Sequence, residues 1–387
     1  MERPLRVLAI ARMNLELNRG TPIRVRNILE RLARDTRFKL TVASWGESAS
    51  IPCTRLALSN KHFGDVFRVL AYIRRHHIDL VIAHTFSSWY HIIAVRLFTS
   101  ARVMLEMHGF PEEEALLYGD ISLPGYYLKR VLAAVVFKCC HYITACSETA
   151  ADNIRRFNPR TIPVYGGFDR NLFNLDVRPE AHAAGTIRIG YIGNGRVWQG
   201  VPFLVETFHK YFGNDPAYEL VLLLSERKGL ALPPGIQVHP PVSHSEAPSF
   251  LASCDILVVP RPANEVNRLS FPSKLIEYMA MGKPVVASRT SDAHRVITDG
   301  TDGLLYDPGD EEGLANAIRA LKDPSVRQRI GAAAAETVSR SFTWERQVSI
   351  IADFINPGFV SSGLPVTDEI AILPPCPKKT GSRILSR

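Results

Sequence analysis

Three side chains close together in the sequence could bind a ligand that carries both negative charge and hydroxyl groups. They are Ser273, Lys274 and Glu277, within the stretch NEVNRLSFPSKLIEYMAMGKPVVAS at 264–288. Ser273 and Glu277 are four residues apart, so a helix would place them on one face. The free N–H groups at a helix start favour an anion, and Lys274 would add positive charge there. A diphosphate at the helix start and a ribose diol on Glu277 would suit a sugar nucleotide, although a solvated surface helix explains the same spacing.

The residues around this trio predict a loop, a helix and a strand, in that order. Pro272 suits the first helical turn because its missing N–H would have no partner there, and Ser270 or Phe271 then takes the cap. Gly282 is a natural residue for a left-handed helix end. The sequence PVVA at 284–287 is typical of a short buried parallel strand. The three side chains are therefore expected at the start of a helix that precedes a buried strand.

The central stretch resembles the signature of the family 4 glycosyltransferases of the GT-B fold, in its Pro-Ser-Lys variant. In that family a Glu-x7-Glu motif precedes a Met-Ala-x-Gly-x-Pro-Val sequence, which reads MAMGKPV here. The resemblance implies that Glu277 is the second glutamate, which binds the ribose of the nucleotide. The first glutamate would fall at Leu269, so the sequence departs from the pattern there. Glu265 is a nearby candidate to replace it, and it is assigned a catalytic role on that basis.

Two positions in the first half also resemble the family. His108-Gly109 ends a predicted strand and matches a His-Gly whose histidine faces the sugar and acceptor across the cleft, so His108 is the second catalytic candidate. Gly20 precedes a predicted helix at 22–34, where the family carries a glycine-rich turn near the donor phosphates. A plain turn glycine fits Gly20 equally well. The acidic run at 112–114 is expected to be a solvated helix start.

A glycine-containing loop at 193–200 resembles the family's Gly-Arg-Leu-x3-Lys-Gly loop, whose arginine and lysine hold the diphosphate. Asn194 and Gln199 occupy those two positions, so both charges are missing in register. Arg196 and Lys274 are the candidates to supply them. The predicted donor-binding residues are Gly20, Gly195, Arg196, Gln199, Arg261, Ser273, Lys274 and Glu277.

Strands and helices alternate along most of the 387 residues, which is typical of parallel βαβ units. The chain is long enough for two domains of ordinary size. The predicted fold class is α/β, and the resemblance narrows it to GT-B, with two Rossmann-like parallel-sheet domains facing a cleft. We expect an acceptor-binding domain at 1–165, a nucleotide-sugar-binding domain at 166–345, a final helix at 346–356 packing back on the first domain, and a disordered tail at 357–387.

The net charge of +8 is unevenly distributed. Residues 1–170 contain 24 Lys and Arg against 15 Asp and Glu, whereas residues 171–387 contain 22 against 23. The basic first half could attract an anionic membrane surface or nucleic acid, or have no partner. We favour the membrane over nucleic acid, because the sequence has no recognisable nucleic-acid-binding motif. A predicted helix at 125–140 has aromatic and basic residues beside apolar ones, which suits an interfacial helix and, nearly as well, an ordinary core helix.

Targeting and metal-binding patterns are not evident in the sequence. No signal peptide precedes the strand-like RVLAIA at 6–11, and the longest apolar stretch, at 131–146, is interrupted by Lys138 and His141. We therefore expect a cytoplasmic protein that is peripheral at the inner face of the membrane. The six cysteines have no zinc-binding spacing, and no metal site is predicted.

The resemblance implies a retaining glycosyltransferase of the hexosyltransferase type. It would move a sugar from a nucleotide-diphospho-sugar to a glycan or lipid-linked acceptor, in cell-envelope polysaccharide or glycolipid synthesis. No cofactor or metal would be needed, since helix-end dipoles with Arg196 and Lys274 would stabilise the leaving diphosphate. Two alternatives stay open. One is a GT-B sugar-nucleotide epimerase, which would need acid–base groups in the cleft. The other is a non-catalytic GT-B scaffold, favoured by Leu269, Asn194 and Gln199.

Overall fold

Two parallel β-sheets organise the molecule. The computed structural model describes residues 3–17, 20–45, 50–59, 64–179, 185–226, 230, 232–233 and 235–356. The strands of the first sheet are β1 Leu5–Ala11, β2 Phe38–Ser44, β3 Thr54–Ala57, β4 Leu80–His84, β5 Arg102–Met107, β6 Tyr142–Ala145 and β7 Thr161–Pro163. The strands of the second sheet are β8 Ile187–Gly193, β9 Tyr218–Leu224, β10 Gln237–His239, β11 Ile256–Val259, β12 Val285–Ser288 and β13 Leu304–Tyr306.

The strand order places a topological switch point inside each sheet. The first sheet runs β3-β2-β1-β4-β5-β6-β7 and the second runs β10-β9-β8-β11-β12-β13. Adjacent strands are parallel in both sheets, as in β1 with β4 and β8 with β11. Ligands bind outside the carboxyl ends of strands at such points, which lie here between β1 and β4 and between β8 and β11. The predicted α/β architecture of two parallel-sheet domains is confirmed.

Helices connect the strands and cover the sheets, so strands such as β4 and β12 are buried along their whole length. In the first domain they are α1 Gly20–Arg34, α2 Gly64–His76, α3 Trp89–Phe98, α4 Pro111–Leu117, α5 Leu123–Cys139 and α6 Glu148–Arg155. After β8 follow α7 Val201–Phe212, α8 Ala247–Ala252, α9 Glu265–Arg268, α10 Ser273–Ala280, α11 Ala293–Val296, α12 Glu311–Ala320, α13 Pro324–Ser341 and α14 Trp344–Ile355. Short 3₁₀ turns lie at Phe86–Ser88 and Val197–Gln199. None of the described helices combines the length and the apolar character needed to cross a membrane.

The last described helix, α14, returns to the first domain and packs against α1. Trp344 and Ile351 are buried in the same apolar cluster as residues of β1 and α1. Arg31 of α1 pairs with Glu345 at 2.8 Å, and Arg37 pairs with Asp353 at 2.7 Å. The chain therefore crosses between the domains twice. The predicted disordered tail at 357–387 lies outside the described residues.

A carboxylate at a helix start joins the two domains. Asp292, which precedes α11 in the second domain, is buried and has a left-handed backbone with a φ of 59°. Its carboxylate accepts hydrogen bonds from the N–H of Glu148 at 2.7 Å, the N–H and hydroxyl of Thr149, and the hydroxyl of Tyr165 at 3.2 Å. Glu148 and Thr149 form the first turn of α6, where the helix dipole favours negative charge. Asp292 thus ties the second domain to a helix end of the first.

We predict that Asp292→Asn weakens the contact between the domains. The amide keeps a residue that tolerates the left-handed backbone but removes the charge and one of the two accepting oxygens. The free energy of unfolding in urea should fall by about 1 kcal/mol. Small-angle X-ray scattering should show a larger radius of gyration.

Asp310→Asn is the matched control, because Asp310 caps α12 within the second domain by accepting from the N–H of Gly313 at 2.8 Å. This variant should lose stability without expanding. Equal expansion in both variants, or in neither, would contradict the role given to Asp292.

Candidate active site

Lys274 lies at the start of α10 beneath the glycine turn that follows β8. Its Nζ donates to the hydroxyl of Tyr191 and to Oε1 of Gln199, both at 2.9 Å, and lies 4.2 Å from the centre of the Tyr191 ring. Burial and the neighbouring charge of Arg261 hold the pKa of Lys274 well below its usual range, and Glu277 opposes the shift. Lys274 forms no salt bridge with a described carboxylate. Lys274 thus donates hydrogen bonds to neutral groups and has no carboxylate partner among the described residues.

Arg261, two residues after β11, is a second buried basic residue in the same region. It is 5% exposed and donates through Nη1 to the hydroxyls of Ser270 at 3.0 Å and Ser291 at 3.4 Å. Its guanidinium lies 5.0 Å from the Trp198 ring centre, and its Nε has no hydrogen-bond partner among the described atoms. Burial lowers the pKa of Arg261 to about 10. Arg261 also forms no salt bridge within the described parts of the chain, so an anion bound here would relieve the cost of burying its charge.

Two glycines allow this close approach. Gly193 ends β8 with a φ of 154°, and a Cβ added there would lie 2.5 Å from Nζ of Lys274. Gly200 has a φ of 78°, and a Cβ there would overlap the carbonyl oxygen of Pro260. Any side chain at these positions would push the turn away from α10 and β11. The turn thus brings Gln199 against Lys274. Gln199 occupies the position of the lysine in the resembled family's loop, so the amine of Lys274 lies beside the place where that lysine would be.

Ser273 and Glu277 lie along α10 as the helical spacing predicts. Glu277 Oε1 is 3.2 Å from Nε2 of His244, a partner that the sequence did not indicate. Both side chains are about one-fifth exposed, so they line an accessible surface. Ser273 lies against the linker between the domains, since a Cβ on Gly166 would be 3.1 Å from its hydroxyl. The first turn of α10 therefore lies against the linker on one side, and the Glu277–His244 contact lies one turn further on.

The predicted cap of this helix differs from the structure. Pro272 is itself the N-cap residue and makes no side-chain capping bond, while α10 begins at Ser273. The Ser270 hydroxyl instead accepts a hydrogen bond from Arg261 and makes none to the start of the helix. The predicted end is correct, because Gly282 has a left-handed φ of 65° just after the helix.

His108 belongs to a buried charge cluster at the carboxyl ends of β4 and β5. Glu106 accepts from Nε of Arg24 at 2.9 Å and lies 2.5 Å from Nδ1 of His84, and His108 Nε2 is 3.6 Å from the same carboxylate. Burial lowers the pKa of His108 to about 4, with Glu106 opposing the shift and Arg24 reinforcing it. Burial would raise the pKa of Glu106, but the neighbouring His108, Arg24 and His84 hold it well below its usual range. His108 is therefore neutral near pH 7.

The ligand atoms of His84, Glu106 and His108 lie within 4.8 Å of one another, which is a spacing that a metal ion could use. However, both oxygens of Glu106 are already engaged, one by Arg24 and the other by His84. The arrangement is explained as a hydrogen-bonded charge cluster, and we assign no metal to it. The neighbouring Gly109 faces Ser270, since a Cβ there would be 4.0 Å from the Ser270 Cβ. The cluster thus approaches the second domain beside the Arg261 site.

Three predicted residues are placed apart from this arrangement. Arg196 is 44% exposed and pairs with Glu114 of α4 and, at 3.3 Å, with Glu226 after β9, so it bridges the cleft. Glu265 is 56% exposed and pairs with Arg268 at 2.6 Å. Gly20 is the exposed first residue of α1 and has open space around it. The assignments of these residues to donor binding and catalysis remain predictions.

The bridge between Arg196 and Glu114 borders a cavity of about 680 Å³ between the domains. Pro111, Tyr118 and Asp120 line it from the first domain, and Gly195 and Glu226 line it from the second. Gly195 also donates its N–H to the carbonyl of Glu226 at 2.9 Å. The cleft therefore has a space for a ligand beside the glycine turn.

Leu269 and two glutamates of the acidic run in α4 are buried. Leu269, where the motif would place its first glutamate, is 1% exposed, and its carbonyl accepts from the thiol of Cys146 at 3.7 Å. The prediction that the run at 112–114 is solvated was wrong for Glu112 and Glu113, which are buried. Glu113 accepts from the Tyr126 hydroxyl at 2.8 Å, a long-range contact that spacing does not reveal.

Comparison with known proteins assigns both halves of the chain to related families. Residues 20–172 match the family model described as "Glycosyltransferase Family 4", and residues 186–323 match "Glycosyl transferases group 1". A D-inositol 3-phosphate glycosyltransferase of an Arthrobacter species is 36% identical over 113 residues, which is 29% of this chain and 25% of that protein. The lipopolysaccharide core biosynthesis glycosyltransferase LpsD of Rhizobium meliloti is 32% identical over 115 residues, 30% of this chain and 32% of that protein. The matches thus span a quarter to a third of these relatives.

Solved structures share the whole two-domain architecture. Sucrose-phosphate synthase from Thermosynechococcus elongatus superposes with a TM-score of 0.73, covering 91% of this chain and 98% of that one at 18% identity. Anabaena HepE in complex with UDP and glucose superposes with a TM-score of 0.68, covering 91% of this chain and 100% of that one, also at 18% identity. At these identities the likeness shows the fold.

We predict that the neutral state of His108 makes stability depend on pH. Its pKa is about 4 in the folded protein and about 6.5 in an unfolded chain, so the unfolded chain binds more protons between these values. The free energy of unfolding should therefore fall by about 2 kcal/mol between pH 7 and pH 5 through this residue. Urea unfolding at both pH values measures it.

His108→Asn should reduce that fall, whereas His209→Asn, at an exposed histidine of α7, should leave it unchanged. An unchanged pH dependence in His108→Asn would show that His108 is protonated, or solvated, in the folded protein.

Proposed function

Because the chain belongs to the GT-B glycosyltransferases of family 4 type, we propose that it transfers a sugar from a nucleotide-diphospho-sugar to an acceptor hydroxyl with retention at the anomeric carbon. The acceptor in this proposal is a glycan or a lipid-linked sugar, in polysaccharide or glycolipid synthesis. Two relatives support a cell-surface or lipid role, since one is named for lipopolysaccharide core biosynthesis and another, from Mycobacterium leprae, is a phosphatidyl-myo-inositol mannosyltransferase.

The observation that carries the proposal is the pair of unbalanced cations at the start of α10. Arg261 and Lys274 each donate hydrogen bonds to neutral groups, and neither forms a salt bridge with a described residue. A diphosphate brings two or more negative charges, which is what this arrangement lacks. The start of α10 adds N–H groups that point outward from the helix. The complex of HepE with UDP and glucose supports a nucleotide donor in this fold.

In the proposed reaction, the bond between the anomeric carbon and the diphosphate oxygen breaks while the acceptor hydroxyl attacks from the same face. The hydroxyl proton passes to the departing diphosphate. Lys274 and Arg261 stabilise the charge that develops on that diphosphate, so no metal and no cofactor take part. The carboxylate of Glu277, oriented by His244, accepts hydrogen bonds from the ribose hydroxyls. His108 contributes a neutral imidazole on the facing domain, and Arg196 is free to turn toward the phosphates if its pairs with Glu114 and Glu226 open.

The same proposal places the enzyme in the cytoplasm, peripheral at the inner face of the membrane. The basic first domain supports this placement, because lipid-linked acceptors lie at a surface that anionic lipids make negative.

A non-catalytic GT-B scaffold is the second candidate, and Leu269 is the observation that favours it. A buried leucine at the position of the first motif glutamate cannot accept hydrogen bonds from the donor sugar. The epimerase alternative receives less support, because Glu265 is exposed and already paired with Arg268, and so supplies no free acid–base group to the cleft.

The test is thermal unfolding with UDP, GDP, ADP and CMP. A nucleotide at 100 times its dissociation constant should stabilise the protein by about 2.7 kcal/mol and raise the midpoint by several degrees. Lys274→Met should abolish that shift. Without nucleotide, this variant should be at least as stable as the native protein, because it removes a charge whose burial is unfavourable.

Lys283→Met is the matched control. Lys283 is another partly buried lysine of the second domain, beyond the end of α10, and its Nζ donates to the carbonyl of Ala252 at 2.6 Å. Its replacement should preserve the nucleotide shift. A shift that survives Lys274→Met would place the phosphates elsewhere, and a shift without sugar transfer would favour the scaffold.

A further inference from the structure

An exposed apolar stripe runs along α5 on the outside of the first domain. Apolar residues recur every four positions along this helix, at Leu123, Tyr127, Val131 and Val135. Leu128 lies beside them on the same side of the helix. Their exposed fractions run from 47% for Val135 to 71% for Leu128. Apolar residues with this regular spacing normally face a core, yet here they face outward. The stripe therefore requires an explanation that packing within the described chain does not supply.

The end of α3 extends the stripe. This helix packs against α5, and Leu97 and Phe98 at its carboxyl end are 69% and 58% exposed. Seven of the fourteen large apolar side chains that the described residues expose lie on these two helices, so the exposure is concentrated and not scattered. The α3–α5 face, as we call it, consists of Leu97, Phe98, Leu123, Tyr127, Leu128, Val131 and Val135.

The charged residues on the two helices of this face are all basic. Neither α3, with 10 residues, nor α5, with 17, contains an aspartate or a glutamate. Arg96, Lys129 and Lys138 are exposed on them, and none forms a salt bridge with a described residue. Lys138 continues the stripe three residues after Val135. Apolar side chains beside unpaired basic ones match the acyl–headgroup boundary of an anionic bilayer.

We propose that the α3–α5 face docks on an anionic phospholipid bilayer, with α5 lying in the plane of the interface. This inference deepens the proposed function by naming the surface that brings the enzyme to its acceptor, and it rests on that function for its purpose. Membrane binding itself does not require transfer activity, so the two can fail separately.

The contacts of α5 connect this face to the cleft. On its inner side, Tyr126 donates to Glu113 of α4 at 2.8 Å, and Arg130 pairs with the same carboxylate at 3.3 Å. The next residue of α4, Glu114, pairs with Arg196 across the cleft. Docking through α5 would therefore hold the cleft close to the bilayer surface, within reach of a sugar on a lipid anchor.

A second copy of this chain is a poorer occupant of the same face. In a two-fold dimer, the basic residues of α3 and α5 in one copy would find no acidic residue on α3 or α5 of the other copy to pair with. Lys138, in line with the stripe, would lose its hydration without an acidic residue of either helix as a partner. A bilayer of anionic lipids offers both an apolar layer and negative charge.

Sedimentation of the full chain with vesicles tests the proposal. The protein should bind vesicles of phosphatidylcholine mixed with phosphatidylglycerol, bind pure phosphatidylcholine at least tenfold more weakly, and be released by salt. Replacing Tyr127, Leu128 and Val131 together by serine should weaken binding by more than about tenfold. Lys138→Ser should weaken it about fivefold.

The control is Leu175→Ser with Val242→Ser, which removes two exposed apolar side chains from the second domain and should leave vesicle binding intact. Circular dichroism and the nucleotide shift should be unchanged in every variant, so that loss of vesicle binding is separated from misfolding and from failure of the donor site. Absence of binding to any vesicle, or loss equal in the control, would overturn the proposal. So would a dimer in solution that the triple variant dissociates, because the face would then be a protein interface.

Discussion

The hydrogen bonds of Asp292 to the start of α6 are the constraint on which the shape of the cleft depends. The site draws on both domains, with the cluster of His108 on one side and Arg261 and Lys274 on the other. A carboxylate that accepts from two backbone N–H groups, a hydroxyl and the phenol of Tyr165 has little freedom to move. Ser291 and Asp292 both adopt left-handed backbones, which non-glycine residues adopt at a cost. The surrounding contacts must offset that cost.

This constraint also reaches the cation site, because Ser291, next to Asp292 in the sequence, contacts Arg261. Its hydroxyl donates to the carbonyl of Asn267 at 2.6 Å and lies 3.4 Å from Nη1 of Arg261. Asp292, which makes the domain contact, thus directly follows Ser291, which touches Arg261 of the proposed phosphate site. Binding of an anion at Arg261 and the contact between the domains share a short, rigid segment. The site is therefore organised before a ligand arrives, which is how electrostatic stabilisation avoids reorganisation during a reaction.

Local patterns in the sequence were sufficient for the parallel sheets and for the face that Ser273 and Glu277 share on α10, although not for the cap of that helix. Alternating strands and helices predicted the parallel sheets, and the spacing of Ser273 and Glu277 predicted their shared face, because both depend on neighbours within one or two turns. Contacts between distant segments could not be predicted in this way. The proximity of Lys274 to Gln199 arises from a turn 75 residues earlier, and His244 reaches Glu277 from 33 residues away. Burial of Glu112 and Glu113 likewise depends on α5, whose Tyr126 and Arg130 compensate a charge that the sequence places at an ordinary solvated helix start.

The return of α14 to the first domain has a consequence for how the protein is made. The apolar cluster between the first sheet and α1 includes Trp344, Val348, Ile351 and Ile355 of α14. The second domain, from β8 to α13, is continuous in sequence and can complete its own core as soon as it leaves the ribosome. The first domain, although synthesised earlier, stays without part of its core until α14 emerges. The first domain can therefore complete its core only after the whole second domain has been synthesised.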